Sequence, residues 1–197
     1  MRTRDESKVE AIYEATIQLV NEIGFSDISI SKIAKKASVS AATIYIYHEN
    51  KEDLLFNSYM KVKEKMSEQM FQHLDENQTV KEQFDASIRN YVGFILEYPE
   101  YFLFLEQIMT SPLPQKWNSK DAIDLFQPAA KMFEIGKRDG IIKSVNDEVL
   151  VAYSIVPIAE LVKVHLRNGM TFEQEQLEAA IVMSWDAIKR WSSSNQL

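Results

Sequence analysis

The stretch from residue 28 to residue 53, ISISKIAKKASVSAATIYIYHENKED, constrains this chain more than any other, because it divides into two short helical segments around a tight turn. In the first, helical spacing puts Ile33, Ala34 and Ala37 on one face and Lys32, Lys35 and Lys36 on the other, with Ser31 predicted to cap the start by accepting a backbone N–H bond. Ser38 and Val39 make the turn. Ser40 is predicted to cap a second helix over residues 41–47, with Ile44 directed into a small core with Ile33 and Ala37. The outline is that of a helix-turn-helix.

The second helix carries groups suited to a nucleic-acid groove. Ala41 and Ala42 are small enough to let its first turn come close to a surface, and Thr43, Tyr45, Ile46 and Tyr47 offer hydroxyls and apolar area. Hydroxyls suit phosphates, and an isoleucine suits a thymine methyl. Asn50 is predicted to cap the next helix, leaving Lys51 in a first turn whose free N–H groups already favour an anion.

At these residues the chain resembles the TetR family of bacterial transcriptional regulators. The family pattern runs from a Gly-aromatic pair through I-A-x-x-A-x-V-S-x-x-T-[IL]-Y-x-Y to N-K-E-x-L. Gly24-Phe25, Ile33-Ala34, Ala37, Val39-Ser40, Thr43-Ile44-Tyr45, Tyr47, Asn50-Lys51-Glu52 and Leu54 stand in those places. Ser38 departs from the pattern where the family turns on Gly, and His48 where it buries Phe. A positive φ at Ser38 would cost about 1 kcal/mol, and His48 would leave a polar ring at a core edge. The resemblance implies that Ala41, Ala42, Tyr45 and Ile46 face bases and that Thr43, Tyr47 and Lys51 touch phosphates, with Lys32 and Ser40 completing the candidate DNA-binding set. The competing reading for Tyr45 and Tyr47 is packing against the preceding helix. The lysine cluster at 32, 35 and 36 reads first as a solvated face that adds positive field.

A net charge of −7 and a pI near 5.1 argue against nonspecific attraction to nucleic acid or anionic membranes, so position decides. Residues 28–48 hold three lysines and no carboxylate. The absence of cysteine excludes disulfides, thiolate metal sites and a Cys nucleophile. His48, His73 and His165 have no metal-ligand spacing, and no phosphate loop or nucleophile constellation stands out, so neither metal, cofactor nor enzymatic activity is expected. The first ten residues, MRTRDESKVE, contain no apolar signal region. The longest apolar run, residues 149–164, is interrupted by Pro157, Glu160 and Lys163 and is read as too short for a membrane span. A soluble, cytoplasmic protein is expected.

Apolar periodicity predicts an all-α chain of about nine helices, with a three-helix DNA-binding domain over residues 1–50 and a helical ligand-binding and dimerisation domain over 51–197. The first helix, about 5–23, ends at Gly24, and Arg2, Arg4 and Lys8 near its start are candidates for a DNA-contacting arm. A long helix over 50–74 would act as a lever. Capping boxes are predicted at Thr79/Glu82 and Thr171/Gln174. Pro128 either kinks a helix over 119–137 or opens it.

Aromatic residues concentrate between positions 91 and 133, which suggests a pocket for a flat or greasy effector as an alternative to an ordinary core. Its candidate lining is Phe94, Tyr98, Tyr101, Phe102, Glu106, Trp117, Phe126, Phe133, Tyr153 and Glu160, with His165 a further polar candidate. The helix over about 149–167 is apolar on nearly every side, and the last helix carries Leu177, Ala180, Ile181, Ser184, Trp185, Ile188 and Trp191 as a stripe. Two such helices invite a second copy, and the resemblance implies a four-helix interface carrying Val164, Leu177, Ile181, Trp185 and Ile188. Aspartate at Ile181 or Trp185 is expected to give monomers. The function implied is a ligand-responsive repressor that binds a near-palindromic duplex operator as a homodimer. The alternative is an adaptor of the same fold that has no operator.

Overall fold

Helix α1 (Arg2–Ile23) forms because Ile12, Ala15, Leu19 and Val20 recur at helical spacing and are buried along one stripe. In the computed structural model, residues 2–75, 77–113, 117 and 120–191 are described, with side chains from Glu6 onward. Arg2 and Arg4, as a contacting arm, therefore lie outside the described side chains, and Ser119 lies outside the described residues. Gly24 ends α1 at φ +77°, its N–H bonded to the Val20 carbonyl at 2.9 Å.

Then come α2 (Ile30–Lys36), α3 (Ala41–Tyr47), α4 (Lys51–Phe71), α5 (Val80–Glu97) and α6 (Pro99–Met109). They are followed by α7 (Lys120–Asp124), α8 (Gln127–Arg138), α9 (Asp147–Ser154), α10 (Val156–Arg167) and α11 (Gln174–Ile188). The chain is all-α. Eleven helical segments among the described residues exceed the nine expected, partly because the late apolar helix is divided at Ile155 into α9 and α10. The only extended pairing among them is an isolated antiparallel bridge between Ile142 and Lys189.

The chain forms two compact units. The first comprises Met1–Lys65 and Tyr98–Ala122, and in it α1 packs on α2 and α6 while α2 packs on α3. The second comprises Met66–Glu97 and Ile123–Leu197, where α5 packs on α8, α10 and α11. Its centre is built from Phe84, Ile88, Phe94 and Ile95 of α5 with Phe133, Val162 and Ile181. Helix α4 starts in the first unit and ends in the second.

Several boundaries follow the predicted signals. Thr79 and Glu82 form a capping box, the Thr79 N–H donating to the Glu82 carboxylate at 2.8 Å. Pro99 opens α6, and Pro128 opens α8 without kinking it, with α7 a separate short helix. Two caps are displaced. Ser29, not Ser31, caps α2, because Ser29 is extended (φ −139°, ψ 157°) and its Oγ accepts from the Lys32 N–H at 3.3 Å, while Ser31 lies inside the helix. The last capping box is Glu173/Gln176 in place of Thr171/Gln174.

The segment Asp147–Arg167 is corrected in one respect. At 21 residues, with mean hydropathy 1.7 in its most apolar window, it is long and apolar enough by composition to cross a membrane. In the fold its inner side, Leu150, Ser154, Ile158, Val162 and His165, is buried in the second unit against α5 and α11. Bundle packing covers 33% of that window, and the rest of its apolar surface is left uncovered within the single chain.

Candidate nucleic-acid interface

The turn between α2 and α3 is set by three backbone bonds. Ala37 N–H reaches the Ile33 carbonyl at 2.8 Å, Ser38 N–H the Lys35 carbonyl at 3.3 Å, and Val39 N–H the Ala34 carbonyl at 2.9 Å. The last two are the paired bonds of a Schellman ending, which needs a left-handed residue between them. Ser38 supplies it at φ +56°. Ser40 then caps α3, its Oγ accepting from the Thr43 N–H at 3.1 Å and lying 2.9 Å from the Thr43 Oγ1.

Within α3 the side chains separate by face. Ile44 is fully buried beside the equally buried Ile33, whereas Tyr45 is 57% and Ile46 75% exposed. Ala42 is exposed, and Ala41, Thr43 and Tyr47 are half-buried. Ala37 is also half-buried, so the inner contact rests on Ile33, Ala34 and Ile44. Asn50 caps α4 by accepting from the Asp53 N–H at 2.9 Å, which leaves Lys51 in its first turn. The Lys51 ammonium donates to the Ile28 carbonyl at 3.2 Å and so ties the start of α4 to the segment before α2. Lys32 donates to the Asp27 carbonyl at 2.8 Å, and Lys36 pairs with Glu22 of α1 at 2.6 Å. The chain thus presents a short helix with an exposed tyrosine and isoleucine, preceded by a helix carrying Lys32, Lys35 and Lys36, the last of them paired with Glu22.

His48, at the end of α3, is buried to 5% exposure. Its Nδ1 lies 3.3 Å from the Asp53 Oδ2, and its ring meets Tyr13 edge-on at 5.6 Å. Burial holds its pKa below the ordinary 6.5, against the opposing pull of Asp53. The sequence pattern placed His48 at a core edge but gave no sign of Asp53 as its partner.

The candidate effector residues divide between the units. In the first, Tyr98 stacks on Tyr101 at 5.5 Å with the Lys65 ammonium 4.1 Å over the Tyr98 ring. Tyr101 donates to Glu14 of α1, and burial together with that carboxylate raises its pKa. Trp117 packs against Phe56 and Tyr59 at 5.4 and 5.5 Å, Phe102 is buried, and Glu106 is half-buried. In the second unit Phe94 and Phe133 are core residues, and Phe126 meets Phe71 edge-on at 6.0 Å. Tyr153 is exposed, and Glu160, also exposed, pairs with Lys163 along α10 instead of facing a cavity. A cavity of about 410 Å³ does open in this unit, walled by Phe71, Leu74, Pro128, Met132 and Ile135. Of these, Met132 belongs to the 91–133 cluster from which a pocket is expected, and the others carry no sequence signal, since apolar side chains at a helix corner do not separate cavity from core.

The candidate dimer residues also divide. Val164 is exposed and Leu177 half-buried, but Ile181, Trp185 and Ile188 are buried inside their own chain, Trp185 against Phe84 at 5.5 Å. The exposed apolar residues of α11 are Ala179, Val182 and Met183. His165 is buried, with Gln176 3.2 Å from its Nε2 and Phe172 edge-on to its ring.

Comparison with known proteins accords with this geometry. Residues 12–57 match the family described as bacterial regulatory proteins, tetR family, and residues 79–189 match the tetracyclin repressor-like C-terminal domain. A TetR family transcription regulator from Marinobacter aquaeolei VT8 superposes with a TM-score of 0.85 at 32% identity, over 97% of this chain and all of that one. An uncharacterised HTH-type transcriptional regulator from Haemophilus influenzae is 27% identical over 96% of this chain and all of its own length. The fatty acid metabolism regulator protein of Bacillus subtilis is 32% identical over 88 residues, 45% of each chain. With its helix-turn-helix formed by α2 and α3 and both halves matched, the chain belongs to the TetR family of bacterial transcriptional regulators.

Proposed function

We propose that the chain is a ligand-responsive repressor, acting in the bacterial cytoplasm, whose homodimer binds a near-palindromic operator and leaves it when a small apolar or aromatic effector is bound. Residues 1–50 act as the DNA-binding domain and 51–197 as the effector and dimerisation domain. The observation that carries the reading is the outer face of α3, where Tyr45 and Ile46 stand exposed while Ile44 anchors the helix from beneath. Ala41, Ala42, Tyr45 and Ile46 meet base edges, and Ser40, Thr43, Tyr47, Lys51 and Lys32 meet or attract phosphates.

Dimerisation uses the apolar sides that α9, α10 and α11 leave uncovered. Val149, Tyr153, Val156, Leu161 and Val164 are exposed on the first two, and Val182 and Met183 on the third. A groove of about 300 Å³ between α10 and α11, floored by Pro157, Leu161 and Ala179, receives side chains of the second copy. The two α3 helices then enter successive major grooves about 34 Å apart, and effector binding shifts α4 so that the spacing fails. By linkage, operator DNA weakens effector binding by the same factor. The Bacillus subtilis relative, by name a fatty acid metabolism regulator, supports an apolar effector.

Selection of sites from random duplex DNA tests the reading. Wild type should enrich a palindrome, and the Tyr45→Ala/Ile46→Ala variant, altered only at exposed positions, should lose that enrichment while staying folded. Failure of the folded wild type to enrich any site would replace the repressor with an adaptor of the same fold.

A further inference from the structure

The corner between α3 and α4 contains a buried polar group with no structural use apparent in the helix-turn-helix itself. The His48 Nε2 is buried and has no hydrogen-bond partner among the described residues. Its Nδ1 faces Asp53 at 3.3 Å, and the same Asp53 oxygen accepts the Glu49 N–H at 3.1 Å. An ionised carboxylate only accepts, so Nδ1 carries the ring proton and Nε2 is a bare acceptor. A neutral ring tolerates this arrangement. An imidazolium would bury a second N–H with no acceptor, which costs more than an idle lone pair.

Of the groups around the ring, Asp53 favours the charged form, and burial outweighs it. From α1 comes the edge of Tyr13, whose phenol is held protonated by burial above all, and Lys61 of α4 lies 4.7 Å over the Tyr13 ring while paired with Glu10. From α4 comes Asp53, its other oxygen taken by the Asn57 amide at 3.0 Å. Tyr13 and Asp53 are titratable groups in contact with His48, and Lys61 is paired with Glu10.

We propose that His48 is a proton-sensitive positioning residue, holding the α3–α4 corner closed when neutral and opening it when protonated, so that acidification weakens DNA binding. The inference rests on the operator-binding reading for its DNA consequence and on the His48–Asp53 contact for the rest. The sign follows from linkage. The closed corner binds fewer protons than the open one, so the stabilisation of closure is full above the ordinary histidine value of 6.5 and is lost as pH falls below it. Each pH unit below that value lowers the ratio of closed to open by up to about tenfold until the closed state itself takes up the proton, and DNA affinity follows once the open form is populated.

The test compares wild type with His48→Phe between pH 7.5 and 5.5, using the duplex that wild type enriches at pH 7.5. Wild type should lose up to about tenfold more affinity than the variant across that range. Parallel profiles would overturn the proposal. If the phenylalanine variant does not fold, His48→Gln, which is polar but does not titrate, serves in its place. Amide exchange over residues 47–54 without DNA gives a second reading. Protection factors, which remove the intrinsic slowing of exchange at low pH, should fall at pH 5.5 in wild type alone, and equal protection in both proteins would overturn the proposal. A protein that binds no DNA at pH 7.5 would remove the operator reading, while the exchange comparison would still decide the role of His48.

Discussion

The Val39 N–H donates to the Ala34 carbonyl at 2.9 Å across a residue held in the left-handed region, Ser38 at φ +56°. That bond closes α2 and sets where α3 begins, yet it is made through a serine whose Cβ is disfavoured there. Ser38→Gly is therefore expected to raise stability by about 0.5–1 kcal/mol, less than the full strain because glycine also frees the unfolded chain. Urea denaturation reads the gain. Since Ser38 is exposed and makes the turn only through its backbone, affinity for DNA should stay within about twofold.

Lys51 serves two ends at once. Its ammonium holds the Ile28 carbonyl at 3.2 Å, and its place in the first turn of α4 puts it where an anion is favoured. Lys51→Ala should lower affinity about equally on all sequences and reduce the salt slope by about 1 for each phosphate that the lysine neutralises. Binding isotherms at several salt concentrations separate this from a loss of specificity. A variant whose affinity falls with an unchanged slope would assign Lys51 to the Ile28 bond alone.

Most of the α2–α3 architecture was legible because its signals are local. Ser40 at an N-cap, Gly24 after α1, Ile33 and Ile44 at helical spacing, and the Thr79/Glu82 box each act within a turn or two of chain. Ser31 failed as a cap because two serines stand two residues apart, and only the burial of Ile28 and the extended backbone at Ser29 decide between them. The stripe of the last helix is buried from Ala180 to Ile188 while Trp191 beyond it is exposed, and periodicity does not say whose core receives such a face. Ile181, Trp185 and Ile188 fill their own chain. The same limit applied to the aromatic cluster, since density of large side chains does not distinguish the packed Phe94 from the partly open Phe126. Which side chains border the cavity at Phe71 and Ile135 depends on how α4, the α4–α5 loop and α8 meet, a long-range relation absent from any local pattern.

Gly136 sits inside α8, where glycine ordinarily weakens a helix by about 1 kcal/mol relative to alanine. A Cβ there would lie 2.9 Å from the Ile142 Cγ1 and 3.2 Å from the Val80 Cγ1, both belonging to buried side chains with little room to retreat. Overpacking of this kind costs about 1–3 kcal/mol. Gly136→Ala is therefore expected to destabilise the protein by up to about 2 kcal/mol despite the gain in helix propensity, as measured by thermal or urea unfolding.

Two substitutions on α11 separate folding from association. Met183 is 73% exposed and borders the groove between α10 and α11, whereas Ile181 is 1% exposed and belongs to the chain's own core. A carboxylate at Met183 leaves the monomer's interior untouched but places an unpaired charge where a second copy would exclude water. Met183→Glu should therefore give a folded monomer by light scattering, with its unfolding temperature at high dilution unchanged and its affinity for a palindromic site reduced. Ile181→Asp buries an unpaired carboxylate in the second unit and should cost several kcal/mol, about 3–5, so its loss of association would come with loss of folding. A Met183→Glu protein that remained dimeric would place the interface away from the α10–α11 groove, because no rearrangement short of leaving that surface would spare the charge.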